Sequence, residues 1–133
     1  MICTNVIVWK LGYLAYCGMD FELRTALDSD QEAITELIAA SAHGLGPPYY
    51  STAQTEAALR TSFGVDSQLI RDRTYFAVMH GEMMVGCGGW SYRETLFGSD
   101  READRSPNPV DPATGAARIR AFFVRPEYAR RGV

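Results

Sequence analysis

Two segments of this chain, one in its amino-terminal part and one near its carboxyl end, begin with alternating apolar and polar residues. Phe21, Leu23 and Thr25 alternate with charged residues, which predicts a first strand. The run Arg118 to Val124 begins with alternation and ends apolar, a pattern typical of a central strand that enters a core. Pro126 lacks an N–H donor, so strand pairing is expected to stop near it.

Two adjacent apolar runs predict a β-hairpin. Thr74 to Met79 reads as a strand, His80-Gly81-Glu82 as a tight turn, and Met83 to Tyr92 as the return strand. Glycines weaken a strand interior unless a bulge or a close neighbour requires them. The return strand contains three: Gly86, Gly88 and Gly89.

Helical periodicity follows the first strand. A capping box is available to Asp28 with Gln31, or to Ser29 with Glu32, and the helix is expected to end by Gly44. Three apolar side chains share its buried face: Ile34, Leu37 and Ile38.

The segment between that helix and the hairpin predicts further helix. Ser51 with Gln54 opens a second helix that ends at Gly64, and Gln68 to Ile70 suits a short third turn. The order strand, helix, helix, strand, strand, strand indicates an α+β domain with a mixed, mostly antiparallel sheet and flanking helices.

Composition limits the class of partner. The chain has 133 residues, 47% of them hydrophobic, which suits one domain with a packed core. Its net charge of −3 argues against nucleic acid as a partner. Five arginines nevertheless lie between Arg118 and Arg131, against Glu127 alone. Such a local basic patch suits a small polyanion.

The cysteines and histidines predict no disulfide framework and no metal site. The three cysteines are irregularly spaced, and His43 and His80 are isolated. Reduced thiols and a cytoplasmic protein are the expectation. Cys87 reads as a small strand residue rather than a nucleophile, and His80 as a solvated turn residue.

The amino-terminal segment, residues 1–18, is apolar but irregular. Lys10 interrupts it, and no basic stretch precedes the apolar run, so neither a signal peptide nor a membrane span is predicted. We interpret residues 1–18 as an extra segment upstream of a domain covering 19–133, with Met19 as the native start.

A basic turn follows the last strand. In Tyr128 to Val133, Gly132 comes directly after two arginines, and a residue without Cβ lets backbone N–H groups turn inward. Such a sequence is often only a solvated turn. After a buried strand it also suits a pyrophosphate, and we favour that reading.

These residues resemble a known family. The strand, Val124-Arg125-Pro126 and Arg130 to Val133 resemble motif A of the GNAT superfamily of acetyl-CoA-dependent N-acetyltransferases, written Q/R-x-x-G-x-G/A. Gly132 is its first glycine, and Ala129 departs from the Gln/Arg position. The rest of the motif would lie beyond Val133. The resemblance therefore implies an amino-terminal part of the fold with the carboxyl-terminal part missing, which alone would be inactive and marginally stable.

The resemblance also implies a reaction and its cosubstrate. It implies acetyl-CoA, no metal, and direct attack of an amine in a ternary complex. Backbone groups of the strand would hold the pantetheine arm, with the Val124 N–H directed at the thioester oxygen. The turn would hold the pyrophosphate. The implied cofactor-binding residues are Phe122, Phe123, Val124, Arg130, Arg131, Gly132 and Val133. No catalytic acid or base is assigned.

Candidate acceptor contacts lie elsewhere in the chain. Tyr49 and Tyr50 either contact a small-molecule or peptide amine or cap the edge of the core. Trp90 packs either in the core or at the acceptor cleft. The resemblance leaves a homodimer possible. A non-catalytic module that binds acyl-CoA or another ligand, and a structural half that pairs with another chain, are the alternative functions.

The polar connection from Arg93 to Gly115 is longer than an ordinary hairpin loop. One hypothesis makes it a lid that offers Asp100, Glu102 or Asp104 to a cationic amine. The alternative is a mobile, solvated insertion.

Overall fold

One antiparallel sheet organises the molecule. The computed structural model describes residues 20–95, 97–103 and 105–133, so the segment 1–18 and the proposed start at Met19 lie outside the described residues. The strands are β1 (Phe21–Thr25), β2 (Tyr75–His80), β3 (Met83–Ser91) and β4 (Arg118–Val124), in the order β1-β2-β3-β4. The predicted α+β class with flanking helices is confirmed.

Three helices lie between β1 and β2. They are α1 (Gln31–Leu45), α2 (Thr52–Arg60) and α3 (Ser67–Arg71), and short 3₁₀ turns cover Asp28–Asp30 and Pro126–Tyr128. Within the described ranges no helix is both long and apolar enough to cross a membrane.

The core lies between α1 and one face of the sheet. The predicted helical face of Ile34, Leu37 and Ile38 is buried, and it packs in one cluster with Tyr75 and Cys87. Burial raises the pKa of the Cys87 thiol to about 11, so the thiolate is scarce at neutral pH. Cys87 is therefore the small buried strand residue that the sequence predicts.

The two long helices begin differently. In α2 the predicted capping box forms: the Gln54 N–H donates to Ser51 Oγ (3.3 Å), and the Ser51 N–H donates to Gln54 Oε1 (2.8 Å). Neither predicted box forms at α1. Instead the Asp30 carboxylate accepts from the Leu27 N–H and from Arg24 Nη1, both at 2.7 Å. Asp30 thus pairs with Arg24, and α1 begins at the next residue, Gln31.

The glycines of β3 permit close approaches, as the sequence predicts. A Cβ at Gly88 would lie 2.7 Å from the Phe122 ring, and one at Gly86 would lie 2.5 Å from Val133 Cγ1. The register of β3 also shifts against β2 and against β4, so the strand carries irregularities on both sides.

Acid is expected to destabilise the fold through two partly buried carboxylates. Hydrogen bonds from Arg93 lower the pKa of Asp72, and those from Arg24 lower the pKa of Asp30. A lowered carboxyl pKa stabilises the folded state above the unfolded value of about 3.9, and this contribution is lost as pH falls through the folded value. Urea unfolding between pH 7 and pH 2.5 measures the loss, and Asp72→Asn is expected to flatten the slope. An unfolding free energy independent of pH would contradict this account.

Candidate functional site

The middle of β4 carries a bulge. The β3–β4 register shifts between Cys87 and Gly89, so that Ala121 and Phe122 both lie opposite Gly88. Ala121 has φ 54°, a left-handed conformation that costs energy for a residue with a side chain. A bulge redirects the backbone groups of a strand, and bulges are frequent beside active sites.

Tyr75 holds this bulge from inside the core. Its ring is fully buried, and its hydroxyl lies 3.2 Å from both Ala121 O and Cys87 Sγ. Burial raises the pKa of Tyr75, so the hydroxyl keeps its proton and donates it. Sequence reasoning missed this role, because 46 residues separate Tyr75 from Ala121 and no local pattern links them.

The three residues predicted to hold the pantetheine arm have different surroundings. Phe122 is 68% exposed and covers Gly88, whereas Phe123 packs edge-on against Phe63 with ring centroids 5.6 Å apart. The Val124 N–H points at Ser41 Oγ on α1, 3.4 Å away. A thioester oxygen would therefore have to replace a long hydrogen bond from Val124 to Ser41.

The turn after β4 contains two residues with positive φ. Arg130 has φ 62° and Gly132 has φ 87°, on either side of Arg131, whose N–H donates to Tyr128 O at 3.3 Å. Turns of this kind direct successive N–H groups to one side. Among the described residues no carboxylate lies within ion-pair distance of Arg130 or Arg131.

Contacts with β3 and α1 fix the start of this turn. The Arg125 N–H donates to Val85 O and its Nε donates to Met84 O, both at 2.9 Å. The Pro126 ring lies so close to Gly44 on α1 that a Cβ there would collide with it. The turn is therefore anchored on two elements before the arginines begin.

The end of the β2–β3 hairpin also contacts the turn after β4. His80 Nδ1 lies 3.0 Å from the Tyr128 hydroxyl, and both rings pack edge-on against Phe21. The expectation of a solvated His80 is wrong, because His80 is the last residue of β2 and the end of that strand lies beside the turn. Glu127, by contrast, is exposed.

The three predicted acceptor contacts are all exposed. Tyr49 is 80%, Tyr50 53% and Trp90 42% exposed, so the core alternative for Trp90 is wrong; its ring lies 6.0 Å from that of Tyr92. Trp90 also lies next to Ile119, near the amino end of β4.

Contacts do not bring these three side chains together. The Tyr49 and Tyr50 N–H groups donate to Gly46 O, at the end of α1. Nearby Gly44 contacts Pro126, beyond the carboxyl end of β4. The described residues show no ring contact between Trp90 and either tyrosine. Their roles as acceptor contacts stay predictions.

The long loop after β3 is docked onto the helices. The Asp100 carboxylate accepts from the Ser67 N–H and hydroxyl at 3.0–3.1 Å, and Glu102 Oε1 accepts from Ser62 Oγ at 3.1 Å. Ser99 Oγ donates to the carbonyl of Thr61 at 2.7 Å. These carboxylates therefore bind the loop to the protein, while Asp104 lies outside the described residues.

A buried ionic cluster lies under the docked loop. Asp66, 1% exposed, accepts from both Arg105 and Arg120, the latter at 3.0 Å. Arg120 also donates to the carbonyl oxygens of Thr95 (2.9 Å) and Gly98 (3.1 Å), and burial lowers its pKa. Arg120 is one of the five arginines that suggested a basic patch for a polyanion, but its charge is buried against Asp66 and does not contribute to such a patch.

Comparison with known proteins supports the fold. No protein-family model matches the chain, and no curated protein matches it significantly. The crystal structure of PaiA N-acetyltransferase from Thermoplasma acidophilum in complex with coenzyme A matches with a TM-score of 0.55 at 13% identity, over 86% of this chain and 65% of that one. A GCN5-related N-acetyltransferase from Kribbella flavida matches with a TM-score of 0.48 at 18% identity, over 86% and 24%.

The match to PaiA confirms the fold that the motif resemblance implies. The chain has the arrangement of strands and helices found in GNAT N-acetyltransferases, and it spans less than two thirds of the length of either matched structure.

Proposed function

We propose that this protein is an acetyl-CoA-dependent N-acetyltransferase. The observation that carries the proposal is one continuous feature: the bulge in β4 leads directly into an anchored turn whose two arginines have no ion-pair partner among the described residues. The likeness of the fold to an acetyltransferase whose structure contains coenzyme A supports the same conclusion.

The turn fits a pyrophosphate by its donors. Arg130 and Arg131 offer planar guanidinium groups that suit phosphate oxygens. Gly132 adopts φ 87° without strain and brings no Cβ toward the ligand. Val133 packs on Gly86, which holds the far side of the turn against β3.

The strand before the turn fits the pantetheine arm. Among the described residues β4 pairs with β3 alone, so its other edge has backbone groups available to a ligand. Phe122 exposes an apolar ring on the face of the sheet, over Gly88. A chain of amides and methylene groups such as pantetheine suits this combination of backbone donors and apolar surface.

Acetyl-CoA supplies an activated acetyl thioester, and the protein orients it toward a neutral amine. A backbone N–H that meets the developing oxyanion is typically worth about 2.7–4 kcal/mol. The Val124 N–H is our candidate for this donor. Tyr75 positions the backbone by holding the carbonyl of Ala121 in the bulge. No side chain is assigned as acid or base.

The finer features of the function are proposals as well. We propose acetyl transfer rather than transfer of a larger acyl group, to a small-molecule or peptide amine that contacts Tyr49, Tyr50 and Trp90. We also propose a cytoplasmic location, in agreement with the free thiol of Cys87.

One observation favours a second candidate, a module that binds acyl-CoA without transferring the acyl group. The Val124 N–H already has an acceptor in Ser41 Oγ, so the thioester does not meet a free donor there. A binding module needs the turn but not that N–H.

An assay of the full-length protein with acetyl-CoA and a panel of amines tests the proposal. The expected result is release of free thiol matched, mole for mole, by acetylated amine in the mass spectrum. Binding of acetyl-CoA without acetylated product would favour the binding module. The absence of both acetyl-CoA binding and acetylated product would overturn both candidates.

A further inference from the structure

A polar cavity of about 260 Å³ lies between α3 and the docked loop. The charged side chains that line it are Asp66, Asp100, Arg71, Arg93, Arg105 and Arg120. Ligand pockets for drug-sized molecules are usually larger, about 300–1,000 Å³. The cavity therefore suits a small molecule or one polar end of a larger one.

The lining carries more positive than negative charge. Both aspartates already accept from Arg105, and Asp66 also accepts from Arg120. Arg93 pairs with Asp72, which stands behind the lining. A cation entering the cavity would thus meet carboxylates that are already neutralised.

Among the four arginines that line the cavity, Arg71 is the one without an ion-pair partner in the described residues. It donates only to neutral groups, Ser67 Oγ at 2.9 Å and Gln68 Oε1 at 3.3 Å. It is exposed at the cavity, and no carboxylate of the described chain lies within ion-pair distance of it. Its free N–H donors are therefore available to an anionic group of a ligand.

The cavity adjoins the bulge of β4. Arg120 lines the cavity and directly precedes Ala121, the residue at φ 54°. Ser91, at the end of β3, lines it from the neighbouring strand. The cavity therefore lies beside the strand on which the acetyl group is proposed to lie.

We propose that this cavity binds the carboxylate of the amine acceptor, so that the acceptor is an amino acid or a similar amine with a carboxylate. The proposal rests on the proposed acetyltransferase function and names its substrate class. It differs from the sequence-based hypothesis that loop carboxylates receive a cationic amine, since two of the three candidates, Asp100 and Glu102, are engaged by Ser67 and Ser62.

The test compares each of the proteinogenic amino acids with its own α-carboxamide in acetyl transfer by the full-length protein. The two members of a pair differ in structure only at the group that the cavity would bind, a charged carboxylate or a neutral carboxamide. The amine of the carboxamide is the less basic one, so a preference for the acid cannot arise from a larger neutral fraction.

Three variants test whether a preference for the amino acid over its carboxamide depends on the cavity. Arg71→Gln removes the uncompensated charge, Arg71→Lys keeps it, and Arg60→Gln removes an exposed arginine at the end of α2, outside the cavity. We expect at least one amino acid to have a KM about tenfold below that of its carboxamide, and Arg71→Gln to abolish the difference. Arg71→Lys should retain part of it, and Arg60→Gln all of it. The KM for acetyl-CoA should not change.

Three results would overturn the proposal: equal use of acids and carboxamides, a preference that survives Arg71→Gln, and transfer to no amino acid. Binding of acetyl-CoA, measured without an acceptor, separates these results from failure of the acetyltransferase proposal. If acetyl-CoA binds and no acid is preferred, only the inference about the cavity fails.

Discussion

Replacing Asp66 with asparagine is expected to lower the free energy of unfolding by about 3–5 kcal/mol, the usual effect of removing one partner of a buried ion pair. Asp66 is 1% exposed and accepts from Arg105 and Arg120. Without that charge, Arg120, 6% exposed, keeps only neutral acceptors among the described residues: the carbonyl oxygens of Thr95 and Gly98 and the amide oxygen at position 66. Urea unfolding of both proteins measures the difference.

Asp100→Asn is the matched control for that measurement. Asp100 binds the same Arg105, but its side chain is 42% exposed. Exposed ion pairs are typically worth less than about 1 kcal/mol, so this variant should stay close to the parent protein. Equal, small losses for both variants would show that the buried cluster does not hold the loop on the helices. A variant at Asp66 that does not fold agrees with the expectation.

Gly132→Val is expected to weaken binding of coenzyme A about 10- to 100-fold, since 1.4 kcal/mol corresponds to a factor of ten. Gly132 has φ 87°, and a left-handed conformation costs a residue with a side chain about 1–3 kcal/mol. The valine also places methyl groups beside the N–H donors of the turn. Calorimetric titration of the full-length protein with coenzyme A measures the change.

Gly81→Val controls for strain alone. Gly81 has φ 60°, in the hairpin turn, and a Cβ there would meet nothing within 4 Å. We expect it to lower stability while leaving the affinity for coenzyme A close to that of the parent. If both variants lose affinity equally, the loss reports global destabilisation and not the turn after β4.

Local signals made much of the fold predictable. Ser51 and Gln54 form the capping box that their spacing indicates, and β1 and β4 have the bounds that alternation predicts. The glycines of β3 indicate either a bulge or a close neighbour, and Val133 and Phe122 are close neighbours of Gly86 and Gly88. Each of these features depends on neighbours in sequence or on the absence of a Cβ.

The features that sequence reasoning missed depend on distant partners. Asp30 pairs with Arg24 across the β1–α1 connection, and α1 begins only after Asp30, at Gln31. Asp66 is separated from Arg120 by 54 residues, and no periodicity reports that contact. For the same reason the docking of the loop through Asp100 was not foreseen.

In the candidate site, too, some features follow from local sequence and others depend on distant contacts. The turn at Gly132 was predicted from its residues and from the motif resemblance, and Gly132 has φ 87° in the structure. The bulge at Ala121 and its support by Tyr75 emerge only when β3, β4 and the core are assembled. The cavity beside Arg71 likewise needs the folded loop.

Calorimetric titration of the full-length protein with acetyl-CoA tests the central claim most directly. The account expects saturable binding of one ligand per chain, weaker at high salt because the arginines contact phosphate. Absence of heat, together with an unfolding temperature that saturating acetyl-CoA does not raise, would contradict the claim that the turn after β4 binds the cosubstrate.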